Sequence, residues 1–249
     1  MSFAGAGSQL WSVFGGNKLL PKKLVENSNS TLLLNTRVDS ITYLGPNRFE
    51  LKISSKSGQT YTKTYSSVII GTPLTENQIQ FLNFSVNLNQ NIGKRKYHRT
   101  VSTLVAGKLN KKFKGKDVLS INKSNFFTSI GRVYPVDDST DEKIPVFKVF
   151  SPTPLTTEEL NKIFDETKVV RVNDWFAYPE YDSISAPLPS FILFPGIYHL
   201  NAIEWAASAI EMSLIGGRNV ALLAYNHFGG KASNVFSENK LKKSSNDEL

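Results

Sequence analysis

Two segments of the sequence place glycines or other small residues directly before a helix, where backbone groups can reach a ligand. The first is Gly15-Gly16-Asn17, which precedes an apolar and basic run beginning at Lys18. Glycine has no Cβ, so another molecule can approach the backbone closely at such a pair. Ordinary loops contain glycine pairs as well, and this pair alone does not distinguish a binding turn from a connection.

The second segment is His199-Leu-Asn-Ala-Ile-Glu-Trp-Ala-Ala-Ser208, where we expect a strand to end and a helix to begin. The first turn of a helix carries free N–H groups and the positive end of the helix dipole. Small side chains let these groups reach an oxygen that gains negative charge, such as a pyrimidine carbonyl of a flavin during its reduction. A tightly packed alanine-rich helix would have the same residues, so both interpretations stay open.

The composition excludes several kinds of chemistry. These 249 residues contain no cysteine, which rules out disulfides, thiolate nucleophiles and thiolate metal ligands within them. His98, His199 and His227 lack the spacing of metal ligands, so we expect no metal site. The formal net charge of +8 permits an anionic partner, but the aromatic residues do not alternate with the basic clusters. We therefore expect no nucleic-acid partner.

Neither a membrane span nor a signal peptide is expected. Every window of 18 residues contains charged or polar interruptions, which predicts no transmembrane span. The first residues, Met1–Ser8, are small and polar and lack the basic and apolar regions of a signal peptide.

Alternating apolar patterns predict a β meander near the start of the chain. We expect a short helix over residues 18–26 and strands over residues 31–34, 37–44, 48–53 and 60–66. Val68-Ile-Ile70 is apolar on both faces, which predicts a strand that is covered by a layer on each side. A covered strand beside a meander indicates a mixed α/β fold.

The remaining chain alternates further strands with two helices. Strands are expected over residues 100–109, 126–134, 146–150, 169–174 and 194–200. Thr156 and Glu159 have the spacing of a capping box, which predicts a helix that ends near Phe164. The longest predicted helix runs from Glu204 to Tyr225, and its glycines at positions 216 and 217 would be tolerated if another backbone packs closely there.

The order of these features resembles the flavin amine-oxidase-like architecture and, more closely, the prenylcysteine oxidase family. The likeness runs from about residue 6 to residue 228. It rests on the segments Leu10-Trp-Ser-Val-Phe-Gly-Gly-Asn-Lys-Leu19, Ile70-Gly-Thr-Pro-Leu74, Phe150-Ser-Pro-Thr-Pro-Leu155, Leu200-Asn-Ala-Ile-Glu-Trp-Ala-Ala-Ser208 and Asn219-Val-Ala-Leu-Leu-Ala-Tyr-Asn226.

The resemblance implies FAD as the cofactor and assigns residues to it. It implies that the glycine turn lies beside the flavin ring, through Gly15, Gly16 and Asn17. It implies that strand backbone at Val38 approaches the adenine. The last helix would meet the flavin pyrimidine through Trp205, Ala206, Ala207 and Ser208. The resemblance assigns no catalytic side chain, because the flavin carries the redox chemistry.

The activity implied by the resemblance is oxidation of a thioether. A hydride would pass from the carbon next to the sulfur of farnesyl- or geranylgeranyl-cysteine to FAD, and water would capture that carbon. The products would be cysteine, an isoprenoid aldehyde and, with oxygen as acceptor, hydrogen peroxide. The resemblance further implies a glycoprotein of the lysosome or secretory pathway that acts in prenylated-protein catabolism. Several aromatic residues suit either an isoprenoid channel or an ordinary core: Phe126, Phe127, Trp175, Phe176 and Tyr178.

These expectations define a partial flavin amine-oxidase-like fold of the α/β class, with α+β mixed character. Residues 1–80 and 191–230 would form an incomplete FAD domain, residues 81–190 a mixed-sheet substrate domain, and residues 231–249 a polar tail. The family's Gly-x-Gly-x-x-Gly pyrophosphate motif is not found, and Phe14 stands where relatives have an acidic residue. We therefore expect a C-terminal portion that lacks the N-terminal dinucleotide-binding βαβ unit. The alternative is a truncated, non-catalytic family member that binds a lipid or a partner without FAD.

Overall fold

The computed structural model describes residues 13–74, 78–88, 96–113, 117–122, 124–135, 144–181 and 188–229. The chain divides into two compact units, the first formed by Met1–Leu32 with His98–Ala177 and the second by Leu33–Tyr97 with Tyr178–Leu249. Helices and both parallel and antiparallel strands occur in the described residues, which confirms the mixed α/β class. The assignment of sequence segments to an FAD domain and a substrate domain stays a prediction.

The predicted helix and β meander near the start of the chain are both present. Helix α1 is Leu19–Asn27, in the first unit. Strands β1 (Thr36–Gly45), β2 (Arg48–Ser55) and β3 (Thr60–Tyr65) pair antiparallel in the second unit. The alternation along β2 buries every second side chain, namely Phe49, Leu51 and Ile53. The short strand β4 (Val68–Ile70) lies in another sheet, and β5 (Gln80–Leu82) pairs parallel with β1.

The buried strand expected over residues 31–34 was wrong. These residues form no strand, and the side chain of Leu34 is 71% exposed. The cause lies at Asn35, whose φ of +54° interrupts the extended backbone before β1. The hydroxyl of Thr36 then donates to the Leu34 carbonyl oxygen at 2.9 Å, which closes a local turn instead of a strand ladder.

The sheet of the first unit has the order β10-β6-β9-β8-β7. Its strands are β6 (Tyr97–Leu109), β7 (Asp117–Leu119), β8 (Ser129–Val133), β9 (Val146–Ser151) and β10 (Phe164–Pro179). Helix α2 (Thr157–Ile163) begins with the predicted capping box, in which Thr156 Oγ1 accepts from the Glu159 N–H at 3.2 Å. The core beneath the sheet consists mainly of Val105, Ile130, Val149, Ile163 and Phe164.

A three-stranded sheet in the second unit has the order β11-β12-β4. Strand β11 is Ile192–Phe194, and β12 is Ile197–His199, which pairs parallel with β4. The strand expected at residues 68–70 is therefore confirmed, but its two-sided cover is not. Ile70 is 4% exposed whereas Ile69 is 46% exposed, because within the described residues β4 forms one margin of its sheet and no layer covers Ile69.

The single long helix expected from residue 204 was wrong at its start. A 3₁₀ helix covers Leu200–Trp205, and α3 begins only at Ile210 and runs to Phe228. Residues 206–209, called the 206–209 link below, are not helical. The condition stated for the two glycines is met at Gly216, where a Cβ would lie 2.9 Å from Ile203 Cγ2 and 3.3 Å from the Leu200 carbonyl oxygen. It is not met at Gly217, where the nearest atom would be a side-chain carbon 3.7 Å away.

Candidate functional site

The glycine turn before α1 is closed by bonds among its own residues. Gly15 and Gly16 have φ values of +80° and +98°, a region that residues with a Cβ rarely adopt. The Gly16 N–H donates to the Val13 carbonyl oxygen at 2.8 Å, and the Val13 N–H donates to Asn17 Oδ1 at 3.0 Å. The conformation of the turn is therefore held by hydrogen bonds among neighbouring residues. Helix α1, which follows it in the chain, contains no buried residue.

Val38 lies on β1 opposite Ile53 of β2, beside the irregularity in pairing between Val38 and Ser40. Its side chain packs against the core of the second unit. An open concavity of about 430 Å³ is lined by residues that directly precede Val38 and by residues at the end of β2: Asn35, Thr36, Arg37, Ser54, Ser55 and Lys56. The concavity thus brings two cationic side chains to the end of the strand that the resemblance assigns to the adenine.

The 206–209 link leaves the first turn of α3 open at its N-terminus. The N–H groups of Ala206 and Ala207 both donate to the Ile203 carbonyl oxygen, at 3.0 and 3.1 Å. The Ser213 N–H donates to the Ala209 carbonyl oxygen at 3.0 Å, and Ala209 supplies no side-chain cap. The N–H groups of residues 210–212 precede that bond and have no acceptor inside the helix. These groups, more than those of Ala206 and Ala207, are suited to meet a ligand oxygen.

Glu204 collects the hydrogen bonds around this link. Its Oε2 accepts from the Tyr97 hydroxyl at 3.0 Å and from Asn201 Nδ2 at 3.1 Å, and its Oε1 accepts from Ser208 Oγ at 3.2 Å. The Tyr181 hydroxyl donates to the Glu204 carbonyl oxygen at 2.8 Å. Burial, followed by the charge of Glu204 and its hydrogen bond, raises the pKa of Tyr97 far above its usual value of 10. Tyr97 is therefore a hydrogen-bond donor at every physiological pH.

Trp205 is buried next to the same link and packs against Tyr97. It is 3% exposed, and the Tyr97 ring meets it edge to face with the ring centroids 5.8 Å apart. Trp205 therefore serves the packing of the link, while Ser208 is on the surface.

His199, the last residue of β12, is buried without conventional partners. Its side chain is 1% exposed, and neither ring nitrogen makes a hydrogen bond that meets the usual geometric limits. Burial lowers the pKa of His199 to about 4, and an interaction with the Thr72 backbone opposes this shift only in part. The ring is therefore neutral at pH 7 and stands directly before the 3₁₀ helix.

The predicted site residues are divided between the two units. Val38 and residues 205–208 belong to the second unit, whereas Gly15, Gly16 and Asn17 belong to the first. That the two turns hold one flavin stays a prediction. Within the described residues, no group of three histidine, aspartate or glutamate side chains is arranged to hold a metal ion.

The aromatic residues considered for an isoprenoid channel have different environments. Phe127 belongs to the core of the first unit, and Phe126 packs against that core. Trp175 and Phe176 are 41% and 67% exposed. The phenylalanine pair thus matches the packing interpretation, and a channel role for the exposed residues stays a prediction.

Sequence reasoning had assigned no role to Glu204, Tyr97 or Tyr181. The spacing of Asn201, Glu204 and Ser208 at three and four residues could have indicated that their side chains meet. Nothing local could have indicated the two tyrosines, because each is more than 20 positions away from Glu204.

Comparison with known proteins gives a consistent result. A family model described as prenylcysteine lyase matches residues 1–238. Prenylcysteine oxidase 1 of Bos taurus is 33% identical over 261 residues, which cover 96% of this chain and 51% of the bovine one. Farnesylcysteine lyase of Arabidopsis thaliana is 35% identical over 245 residues, which cover 94% of this chain and 46% of that protein. The chain therefore spans about half the length of these relatives.

Among solved structures, reduced UDP-galactopyranose mutase superposes with a TM-score of 0.43 at 14% identity, over 66% of this chain and 40% of that chain. Within the described residues, no helix is long and apolar enough to cross a membrane.

Proposed function

Because the chain belongs to the prenylcysteine lyase family, we propose that it takes part in the FAD-dependent cleavage of prenylated cysteine. The products would be cysteine, an isoprenoid aldehyde and, with oxygen as acceptor, hydrogen peroxide. The observation that carries the proposal is the family match over residues 1–238. The names of the relatives, prenylcysteine oxidase and farnesylcysteine lyase, support the same substrate class.

The residues of the second unit fit one part of a flavin. The open first turn of α3 offers N–H groups without intrahelical acceptors, and the exposed side chains of Ala206 and Ala209 are small enough to admit a ring. Bound FAD would accept a hydride from the carbon next to the thioether sulfur. The contribution of α3 would be to hold the pyrimidine edge and to stabilise the negative charge that develops there.

The first unit would contribute the glycine turn. The positive φ values of Gly15 and Gly16 keep the turn free of Cβ atoms, so a planar ring can approach its backbone. Asn17 holds the turn through its side-chain oxygen, which accepts from the Val13 N–H. We propose that this turn contacts the flavin ring.

The whole activity would involve more than these residues. The chain spans about half the length of its relatives. The second unit also exposes large apolar side chains, which soluble proteins seldom leave in contact with water. On α3 the exposed large side chains are Ile210, Leu214, Ile215, Leu222, Tyr225 and Phe228. This surface supports the proposal that polypeptide corresponding to the rest of the relatives' length completes the FAD site. A lysosomal or secretory location belongs to the same proposal.

Two measurements test the function. The purified chain is titrated with FAD, alone and together with the part of the bovine relative that it does not match, and flavin absorbance and fluorescence are followed. Farnesylcysteine is then added, and free cysteine and hydrogen peroxide are quantified. We expect the two products in equal amounts wherever flavin is bound. Flavin binding without either product would refute the oxidase assignment, and a failure to bind flavin in both preparations would favour the non-catalytic alternative.

A further inference from the structure

We propose that Glu204 is a positioning residue: its carboxylate holds the 206–209 link in the conformation that presents the first turn of α3 to a ligand. The ligand part of this inference rests on the proposed function, whereas the conformational part concerns this chain alone. Few other interactions hold the link, and the partners of Glu204 come from before the link, from within it and from a distant position in the chain.

The link has little regular structure of its own. Ala206 and Ala207 bond back to Ile203, and the first bond of α3 reaches only Ala209. Ala209 has an extended backbone, with φ −150° and ψ 158°, and no side chain that caps the helix. Small residues leave room for a ligand, but they also provide few contacts that would fix the backbone. Another group must therefore hold Ser208 and Ala209 in place.

Glu204 joins the link and the 3₁₀ helix before it to Tyr97, a residue of the same unit that is distant in the sequence. Asn201 lies before the link and Ser208 within it, and each donates to a different oxygen of the same carboxylate. Tyr97, from the start of β6, donates to the oxygen that Asn201 also uses. A carboxylate that accepts three hydrogen bonds is restrained in position as well as in orientation.

The remaining contacts hold Glu204 from its backbone side. The Tyr181 hydroxyl donates to the Glu204 carbonyl oxygen, and the pKa of Tyr181 is raised, first by burial and then by the charge of Glu204. Tyr97 is 8% exposed and packs edge to face on Trp205, the residue that follows Glu204. The carboxylate therefore joins residues before and within the link to Tyr97.

The conformational part is tested by hydrogen–deuterium exchange on the full chain without added flavin. Glu204→Gln is compared with Glu50→Gln, a matched control that removes the same charge from β2 of the same unit, outside the proposed binding turn. We expect Glu204→Gln to accelerate amide exchange at the hydrogen-bonded N–H groups of Ala206, Ala207 and Ser213 by about tenfold, the equivalent of one hydrogen bond to a charged group. Exchange in β1 should remain as in the wild type, and Glu50→Gln should change neither region.

Three outcomes would overturn the conformational part. These are unchanged exchange in Glu204→Gln, equal acceleration in Glu50→Gln, and acceleration spread evenly over the second unit, which would indicate a general loss of stability. Ser208→Ala removes a single bond to the carboxylate and is the substitute if Glu204→Gln does not fold. It should accelerate exchange at Ala206, Ala207 and Ser213 only.

The ligand part is tested by FAD affinity in the preparation that binds FAD. We expect Glu204→Gln to raise the dissociation constant for FAD about tenfold, with Glu50→Gln within twofold of the wild type. Equal affinity of Glu204→Gln and the wild type would overturn the ligand part. If no wild-type preparation binds FAD, the proposed function and the ligand part both fail, while the exchange experiment still decides the role of Glu204 in the link.

Discussion

The glycine turn and the 206–209 link are assigned to the same cofactor by resemblance, but they are held in place in different ways. The hydrogen bonds that close the glycine turn join residues between Val13 and Leu20, and the helix that follows has no buried residue. The link is held by Glu204 and by tyrosines from elsewhere in the chain. A local turn can form early and tolerate changes in its surroundings, whereas the link depends on the folded second unit.

This difference predicts where substitutions are costly. Changes around the link should alter the stability of the second unit, and changes in the glycine turn should have local effects. The following four experiments test that contrast, from the largest expected effect to the smallest.

Acidification should lower the free energy of unfolding through His199, the residue before the 3₁₀ helix that leads into the link. The pKa of His199 is lowered from 6.5 to about 4 by burial, so the unfolded chain takes up the proton first as the pH falls. The stabilisation is present above pH 6.5 and is lost between pH 6.5 and 4, by about 3 kcal/mol. In urea unfolding, the free energy of unfolding of the wild type should therefore fall more between pH 7 and pH 4 than that of His199→Phe, by about 3 kcal/mol. An equal loss of stability in wild type and variant would contradict the prediction.

Filling the space at Gly216 should be the next most costly change. A Cβ at this position would lie 2.9 Å from Ile203 Cγ2, and Ile203 also accepts both N–H groups at the start of the link. We expect Gly216→Val to lower the free energy of unfolding by about 2 kcal/mol. Gly217→Ala is the control, because the nearest atom would be 3.7 Å away, and it should be neutral or stabilising. Equal unfolding midpoints for both variants would refute the close packing.

Removing the Tyr181 hydroxyl should have a smaller effect. This hydroxyl donates to the Glu204 carbonyl oxygen, but the side chain is 48% exposed and water can replace the bond. We expect Tyr181→Phe to lower the free energy of unfolding by about 0.5 kcal/mol. A loss several times larger would show that Tyr181 has a greater part in holding the link than its exposure indicates.

Substitution in the glycine turn should leave global stability almost unchanged. A Cβ at Gly15 would lie 2.8 Å from Leu19 Cδ1, and the φ of +80° is unfavourable for alanine by about 1 kcal/mol. We expect Gly15→Ala to reduce the helical circular dichroism of α1 while the urea midpoint remains that of the wild type. A clear fall in the midpoint would mean that the turn supports its unit, and the contrast drawn above would no longer hold.

The sequence was informative wherever a structure depends on neighbours in the chain. The alternation in β2 and the capping box at Thr156 were both predicted correctly. The prediction of a continuous helix through residues 206–209 was wrong, because the helix propensity of alanine is weaker than the contacts that hold the link. The site itself could be predicted only in outline, since the tyrosines that complete it come from distant positions.

Strand β4 has a consequence for how the protein behaves in concentrated solution. It is three residues long, it forms one margin of its sheet within the described residues, and Ile69 is 46% exposed on it. Unpaired backbone beside an apolar side chain is a template on which other chains can add strands. Because a strand this short offers few backbone groups for pairing, intermolecular sheet growth here depends chiefly on the exposed apolar side chain of Ile69. A lysine at position 69 should delay turbidity in light-scattering measurements.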